Sequence, residues 1–145
     1  MKSLILLSMI YWIQTVALSA QSAYEIWFAA GSVTHHGLIR AGENGKVWQM
    51  RIKYTDAGCR CERLIEQQMQ AEKTNLGIRL SGYSVRDVIS NRLTRDYAAD
   101  RLYLYYDREG NVWSQHLDEQ GISGKMIMKP LDAGNRAEKM RAFGW

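Results

Sequence analysis

Five side chains in this sequence can bind a soft metal ion or act as a base or nucleophile: His35, His36, His116, Cys59 and Cys61. Neighbouring residues on a β-strand point to opposite faces, so His35 and His36 cannot both ligate one ion there. A site therefore needs one of them with His116 and a cysteine, a nitrogen and sulfur set that suits zinc or copper. These residues have no motif spacing, and histidines are more often half-buried or at the surface. The sequence predicts no metal and no cofactor, with a metal- or thiol-dependent enzyme using this set as the alternative.

Cys59 and Cys61 are the only cysteines, and a single residue separates them. In an oxidising compartment, such a lone pair suggests a disulfide. On a regular strand, however, residues two apart are about 6.5 to 7 Å from each other, which is the upper limit that a disulfide spans. Four states stay open: a strained bridge, two buried thiols, a bridge to another chain, or metal ligands.

The remaining polar residues form no recognisable catalytic motif. Gly-x-Ser-x-Gly elbows and glycine-rich phosphate loops are both missing from the sequence. Several carboxylates have no spacing that selects a catalytic pair, and we expect them to be solvated surface charges: Glu62, Glu66, Asp87, Asp96 and Asp100. Residues 107–111 (Asp-Arg-Glu-Gly-Asn) have glycine too early for a calcium loop, so they are predicted to form a hairpin turn.

Aromatic residues are spread over the predicted strands, and five of them are our candidate ligand-binding residues: Trp27, Trp48, Tyr103, Tyr105 and Trp113. Tyr103 and Tyr105 share one face of their strand while Leu102 and Leu104 share the other, so this strand is apolar on both sides. It is either a central strand covered on both faces or one with tyrosines at a rim. The functional interpretation is an aromatic-lined cavity or surface for an apolar or sugar ligand.

Alternating apolar and polar residues, interrupted by turn residues, predict the antiparallel strands that position these side chains. The predicted strands are residues 24–30, 33–40, 46–54, 76–85, 101–106, 112–117 and 125–128. Asn44-Gly45 is a strong hairpin signal between the second and third strands, because both residue types accept a positive φ at low cost. The alternation of apolar and polar residues is clearest in the third strand, so we expect one of its faces to be buried in the core and the other to be mostly exposed to solvent.

Two segments are harder to assign. Residues 60–74 are rich in good helix formers, but the tight turn before them and the strand after them favour a continued meander, so we predict a strand with a helix as the alternative. Residues 86–100 have no sustained period of two and form the longest connection. Loops of that length are uncommon unless they carry function or a short helix.

Residues 1–20 have the features of a secretory signal peptide: Lys2, a mostly apolar run, and small residues at the end. An uncleaved membrane anchor is the alternative, because the run approaches the roughly 18 to 20 residues that a bilayer requires. We expect cleavage, a secreted or periplasmic location, and membrane contact only during export. The net charge of +4 is too small and too interspersed to indicate nucleic-acid binding.

These observations predict an all-β domain at residues 21–131, followed by a polar C-terminal tail at 132–145 that forms a short helix or frays. The domain is an antiparallel meander of about seven to eight strands forming a small barrel or sandwich, and we favour the barrel because closure leaves no exposed strand edges. The pattern is similar in a general way to lipocalin-like barrels. The predicted function is an exported binding or interaction module whose partner is a small apolar or sugar ligand or another envelope protein.

Overall fold

The computed structural model describes residues 23–106, 108, 112–117 and 123–145. The predicted signal peptide at 1–20 lies outside the described residues. So do most of the two turns that separate the strands predicted at 101–106, 112–117 and 125–128; within them the structure describes only residues 108, 123 and 124. In the part of the chain that is described, no helix is both long enough and apolar enough to cross a bilayer.

The chain forms an all-β structure in which eight antiparallel strands close into a barrel, as the sequence predicted. The strands are β1 (Ala23–Ala30), β2 (Val33–Ala41), β3 (Val47–Asp56), β4 (Cys61–Lys73), β5 (Gly77–Asp87), β6 (Arg92–Leu93), β7 (Arg101–Tyr106), β8 (Val112–Leu117) and β9 (Ser123–Pro130). Consecutive strands pair with each other except β6 and β7; β9 returns to β1, and β5 pairs with β7. The two-residue strand β6 pairs only with the end of β5, outside the closed ring.

The barrel interior is filled by apolar side chains from alternate positions of the strands. Ile26, Met50, Ile52, Met69 and Leu80 are each 0% exposed. An eight-stranded barrel has an interior just wide enough for side chains to fill, and this packing fits that size. The regular alternation in β3 that the sequence showed is therefore the inward and outward alternation of a barrel wall.

The ambiguous segment at 60–74 is a strand rather than a helix. β4 pairs with β3 along ten residues and with β5 on its other side, so both of its edges are hydrogen-bonded within the sheet. A register shift between Glu66 and Gln68 marks a bulge opposite β5. Strand pairing on both sides outweighs the helix propensity of Glu, Gln, Lys and Met.

The C-terminal tail forms a helix, α1 (Arg136–Ala142), that packs on the outer wall of β1, β2 and β3. Lys139 donates a hydrogen bond to Glu25 of β1. Arg51 Nη1 donates to the carbonyl oxygens of Phe143 at 2.9 Å and Gly144 at 2.6 Å. Leu38 faces outward between Glu25 and Arg51 in the sheet, yet it is 0% exposed. The outer wall is therefore buried where the C-terminal segment covers it.

The last residue adds to this packing. The ring of Trp145 lies under two guanidinium groups, 4.2 Å from that of Arg40 and 5.2 Å from that of Arg51. Phe143 is 3% exposed and meets His36 edge to face at 5.1 Å. The terminal aromatics thus anchor the helix to the barrel.

Candidate functional site

The connection between β6 and β7 runs over one end of the barrel and inserts Asp100 into it. This end, which we call the crossover end, is where β1, β3, β5 and β8 finish and β2, β4, β7 and β9 begin. Asp100 is 5% exposed, and its backbone oxygen accepts a hydrogen bond from Gly82 N at 2.8 Å. The segment that the sequence analysis found irregular therefore carries a buried carboxylate.

Three side chains surround the carboxylate and, with it, form what we call the Asp100 network: Gln67, Tyr97, Asp100 and His116. Asp100 Oδ1 lies 2.7 Å from His116 Nε2, and Asp100 Oδ2 accepts hydrogen bonds from Gln67 Nε2 and, at 2.9 Å, from the Tyr97 hydroxyl. Asp100 N donates in turn to Gln67 Oε1 at 3.0 Å. A buried carboxylate is costly unless donors surround it, and these three donors satisfy that need.

Glycine at position 82 permits the close approach of the crossover to the barrel. A Cβ atom on Gly82 would lie 2.2 Å from Gln67 Oε1 and 3.0 Å from Asp100 O. Both distances are below ordinary van der Waals contact, so no larger residue fits without displacing the network.

Aromatic rings form a layer next to the Asp100 network. Phe28 stacks on both His35 and His116, with ring centroids 4.9 Å and 4.1 Å away. His35 also stacks on Tyr54 at 5.1 Å and meets Tyr97 edge to face at 5.9 Å. Strand β1 lies between β2 and the β9–β8 pair, so the Phe28 ring separates the two imidazoles.

Burial determines the protonation of this layer. Removal from water lowers the pKa of His35 below its ordinary value, an effect that outweighs the hydrogen bond between its Nδ1 and the Val33 carbonyl. Burial also raises the pKa of Tyr97 well above its usual range, and the neighbouring Asp100 carboxylate acts in the same direction. Tyr97 therefore stays a neutral phenol and donates to Asp100.

The histidine and cysteine set of the sequence analysis does not assemble in one place. His35 points into the barrel, whereas His36 lies outside, where its Nε2 is 2.7 Å from Glu25 Oε1 and its ring stacks on Trp27 at 5.2 Å. Cys59 and Cys61 are bonded to each other. Among the residues that the structure describes, no three His, Cys, Asp or Glu side chains are grouped so as to hold a metal ion.

The Asp100 network contains a hydrogen-bonded histidine and carboxylate, the pair that acts as general base in many hydrolases. Here the pair is enclosed: Gln67 is 0% exposed and both Asp100 and His116 are 5% exposed. The second oxygen of Asp100 is engaged by Gln67 and Tyr97. This arrangement attaches the crossover segment to the end of the barrel.

The five predicted ligand-binding residues separate into two groups. Trp48 faces inward, is 1% exposed, and stacks on Tyr24 at 6.2 Å. The other four lie on the outside of the barrel: Trp27 on β1, Tyr103 and Tyr105 on β7, and Trp113 on β8.

The outward group shares one side of the barrel with Ile127 of β9. Trp27 is in register with Ile127, and Tyr105 is in register with Trp113. Since β9 lies between β1 and β8, Ile127 stands between Trp27 and Trp113. We call this surface the outer aromatic face: Trp27, Tyr103, Tyr105, Trp113 and Ile127. Trp113 is 53% exposed and Ile127 is 46% exposed, so the middle of this face is open to solvent.

Sequence reasoning missed most of the Asp100 network. It assigned Asp100 to the solvated surface and gave no role to Gln67 or Tyr97. The available signal was the position of an acid directly before a strand that is apolar on both faces. That signal does not reveal the partner, because Gln67 lies 33 residues earlier in the chain.

Comparisons of this chain with protein-family models, with curated proteins and with solved structures found no match.

Proposed function

We propose that this chain is an exported interaction module that binds another protein through its outer aromatic face. The observation that carries the proposal is the contrast between a filled interior and an open outer surface. Residues at the centre of the barrel are 0% exposed, whereas Trp113 and Ile127 are about half exposed on the outside. A filled core favours a partner that binds the surface over a small ligand inside the barrel.

The composition of the face indicates the chemistry of the partner. Large apolar and aromatic side chains in the middle of a surface are typical of interaction hot spots. On β9 the outward positions on either side of Ile127 are Lys125 and Lys129, both exposed. Lys129 Nζ lies 5.8 Å from the centre of the Trp27 ring. A partner with an apolar anchor flanked by carboxylates complements this arrangement.

Export is a prediction from the N-terminal sequence, and the disulfide between Cys59 and Cys61 supports it. Disulfides form and persist mainly in oxidising compartments, which include the periplasm and the extracellular space. The proposed partner is therefore a protein of the cell envelope or the exterior. This class matches the envelope protein expected from the sequence.

Site-specific photo-crosslinking in the cells that produce the protein tests the proposal. A photoreactive phenylalanine analogue at position 113 or 127 is expected to give a discrete adduct with another protein. Position 89 serves as the matched control, because Ile89 is even more exposed at 82% but lies in the turn between β5 and β6. Mass spectrometry of the adduct identifies the partner and the segment that is attached.

Three outcomes contradict the proposal. Equal adducts from positions 89 and 113 would show that exposure alone determines capture. An adduct with a second copy of this chain would show self-association instead. A partner whose attached segment lacks carboxylates and apolar residues would contradict the predicted chemistry.

A further inference from the structure

The Cys59–Cys61 disulfide lies at the tip of the hairpin between β3 and β4. Cys59 is in the turn at 57–60 and Cys61 is the first residue of β4. Their Cα atoms are 5.2 Å apart, well within disulfide range, because the chain turns here instead of running straight. The bridge encloses only Arg60, and all three residues are exposed. An attacking thiol can therefore reach the bridge.

The hairpin has other contacts that hold it together. Asp56 Oδ1 accepts hydrogen bonds from Gly58 N at 2.7 Å and from Cys59 N at 3.4 Å. Asp56 is also in register with Cys61, where the β3–β4 ladder ends. A disulfide stabilises a protein mainly by closing a long loop in the unfolded chain, and a three-residue loop gives little of this effect. The fold therefore depends only weakly on the bridge.

The backbone inside the bridge is in an unfavourable conformation. Arg60 has a φ of 55°, in the left-handed region that residues with a Cβ atom rarely adopt. We expect reduction of the bridge to let Arg60 leave this region, which favours the dithiol. Arg60 is also an exposed cationic residue between the two cysteines in sequence, and a cation near a cysteine stabilises its thiolate.

We propose that the Cys59–Cys61 bridge is a thiol–disulfide exchange centre that oxidises dithiols in other peptides and proteins. A substrate thiolate attacks one sulfur of the bridge, the S–S bond breaks, and its electron pair leaves on the other cysteine, which takes up a proton. A second substrate thiolate then attacks the substrate sulfur of the mixed disulfide and releases the first cysteine. The substrate gains a disulfide, and Cys59 and Cys61 receive two electrons and two protons.

Equilibration with glutathione tests the first requirement, that the bridge is easily reduced. The purified protein is held in about 10 mM reduced and about 0.1 mM oxidised glutathione, and free thiols are counted by alkylation and mass spectrometry. We expect more than half of the molecules to be reduced, whereas a structural disulfide stays about 99% oxidised in this buffer. A bridge that stays oxidised would overturn the proposal. So would loss of the barrel's circular dichroism spectrum on reduction, since the bridge would then be structural.

Oxidation of a peptide that contains two thiols tests the second requirement. With oxidised glutathione as the final electron acceptor, we expect the protein to increase the rate of peptide oxidation by about tenfold or more, because exposed bridges of this kind exchange readily. Cys59→Ser and Cys61→Ser each remove the bridge, so each should lose this acceleration. The matched control is Ser90→Ala, an exposed change in the turn between β5 and β6. Equal rates with the wild type and with both serine variants would overturn the proposal.

Arg60→Gly separates an exchange centre from an inert exposed bridge. Glycine adopts the observed φ without a Cβ penalty and lacks the cation. Both changes favour the disulfide, so we expect the variant to be about fivefold harder to reduce in the glutathione equilibrium. An unchanged equilibrium would overturn the proposal of a tuned exchange centre and would indicate an inert exposed bridge. These measurements do not involve the outer aromatic face, so this inference and the proposed interaction can fail separately.

Discussion

The two ends of the barrel are closed by opposite chemistry. At the crossover end, a buried carboxylate is held by an amide, a phenol and an imidazole. At the opposite end, Trp48 stacks on Tyr24, and its indole Nε1 donates to the Gly45 carbonyl oxygen at 3.2 Å. Apolar packing depends on volume and contact area, whereas a buried polar network requires every partner to be present. The comparison predicts that the crossover end is the less tolerant of substitution.

The largest expected effect is that of Asp100→Ala. This change leaves Gln67, Tyr97 and His116 facing a buried position without their shared acceptor. Removing one partner of a buried charged network typically costs about 3 to 5 kcal/mol, and we expect a loss of this size in the free energy of unfolding measured by urea denaturation. Asp96→Ala, at an exposed carboxylate four residues earlier, is the control and should change stability by less than about 0.5 kcal/mol. Equal effects at both positions would mean that Asp100 does not organise the crossover end.

The second prediction tests how tightly the crossover segment lies against the wall. In Gly82→Ala, the new methyl group would meet Gln67 Oε1 at 2.2 Å and the Asp100 backbone at 3.0 Å. We expect a destabilisation of about 1 to 3 kcal/mol, because the network must shift to make room. Gly124→Ala is the matched control, since its nearest neighbours would be 3.9 Å away. Thermal unfolding of the two variants gives the comparison, and similar melting temperatures would contradict the predicted contact.

The third prediction compares conservative substitutions at the two ends. Trp48→Phe keeps an apolar ring but removes side-chain volume and the donor to the Gly45 carbonyl oxygen, and it is expected to cost about 1 to 2 kcal/mol. Asp100→Asn keeps the shape of the side chain but turns one acceptor into a donor that faces existing donors, so we expect a cost of at least about 2 kcal/mol. The free energies of unfolding of both variants, measured by urea denaturation, test this prediction. If Trp48→Phe costs more, apolar closure is the more demanding of the two, and the comparison between the ends is reversed.

The same difference explains what could be predicted from the sequence. The apolar wall follows from local periodicity: Trp48 and Ile52 share the inward face of β3, the strand for which the sequence predicted one core face. Strand β4 was assigned against its helix propensity because of its neighbours in the chain. The fold class could therefore be predicted, because it follows from patterns within short stretches of the sequence.

The Asp100 network and the C-terminal packing have no such local pattern. Gln67 and Asp100 meet only because β4 and the crossover segment converge at one end of a closed barrel. Arg51 reaches the carbonyl oxygens of Phe143 and Gly144, which lie more than ninety positions later in the chain. Single-sequence reasoning does not detect pairs at such separations. It located the crossover segment as worth attention but gave no indication that its acid is buried.

The smallest effect concerns pH and again distinguishes the two ends, because titratable histidines occur only at the crossover end among the described interior residues. Burial lowers the pKa of His35, so the folded protein binds a proton there less readily than the unfolded chain does. Stability from this group is therefore complete above the unfolded pKa of about 6.5 and is lost as the pH falls from that value towards the lower pKa of the folded state. The nearby ionisable groups are His116, Asp100, Tyr54 and Tyr97.

We expect the free energy of unfolding of the wild type to decrease between about pH 7 and pH 5. His35→Phe should reduce the slope of this free energy against pH. Phenylalanine keeps an aromatic ring between Phe28 and Tyr54 but binds no proton. His36→Gln is the control: His36 lies on the outer wall, and its loss should leave the slope between pH 7 and 5 larger than in His35→Phe. Glu25 acts in a lower window. Burial tends to raise its pKa, but hydrogen bonds from Lys139 and His36 outweigh this and lower it. Its contribution is thus lost only in acid below its ordinary pKa. A slope unchanged in His35→Phe would mean that folding does not lower the pKa of His35.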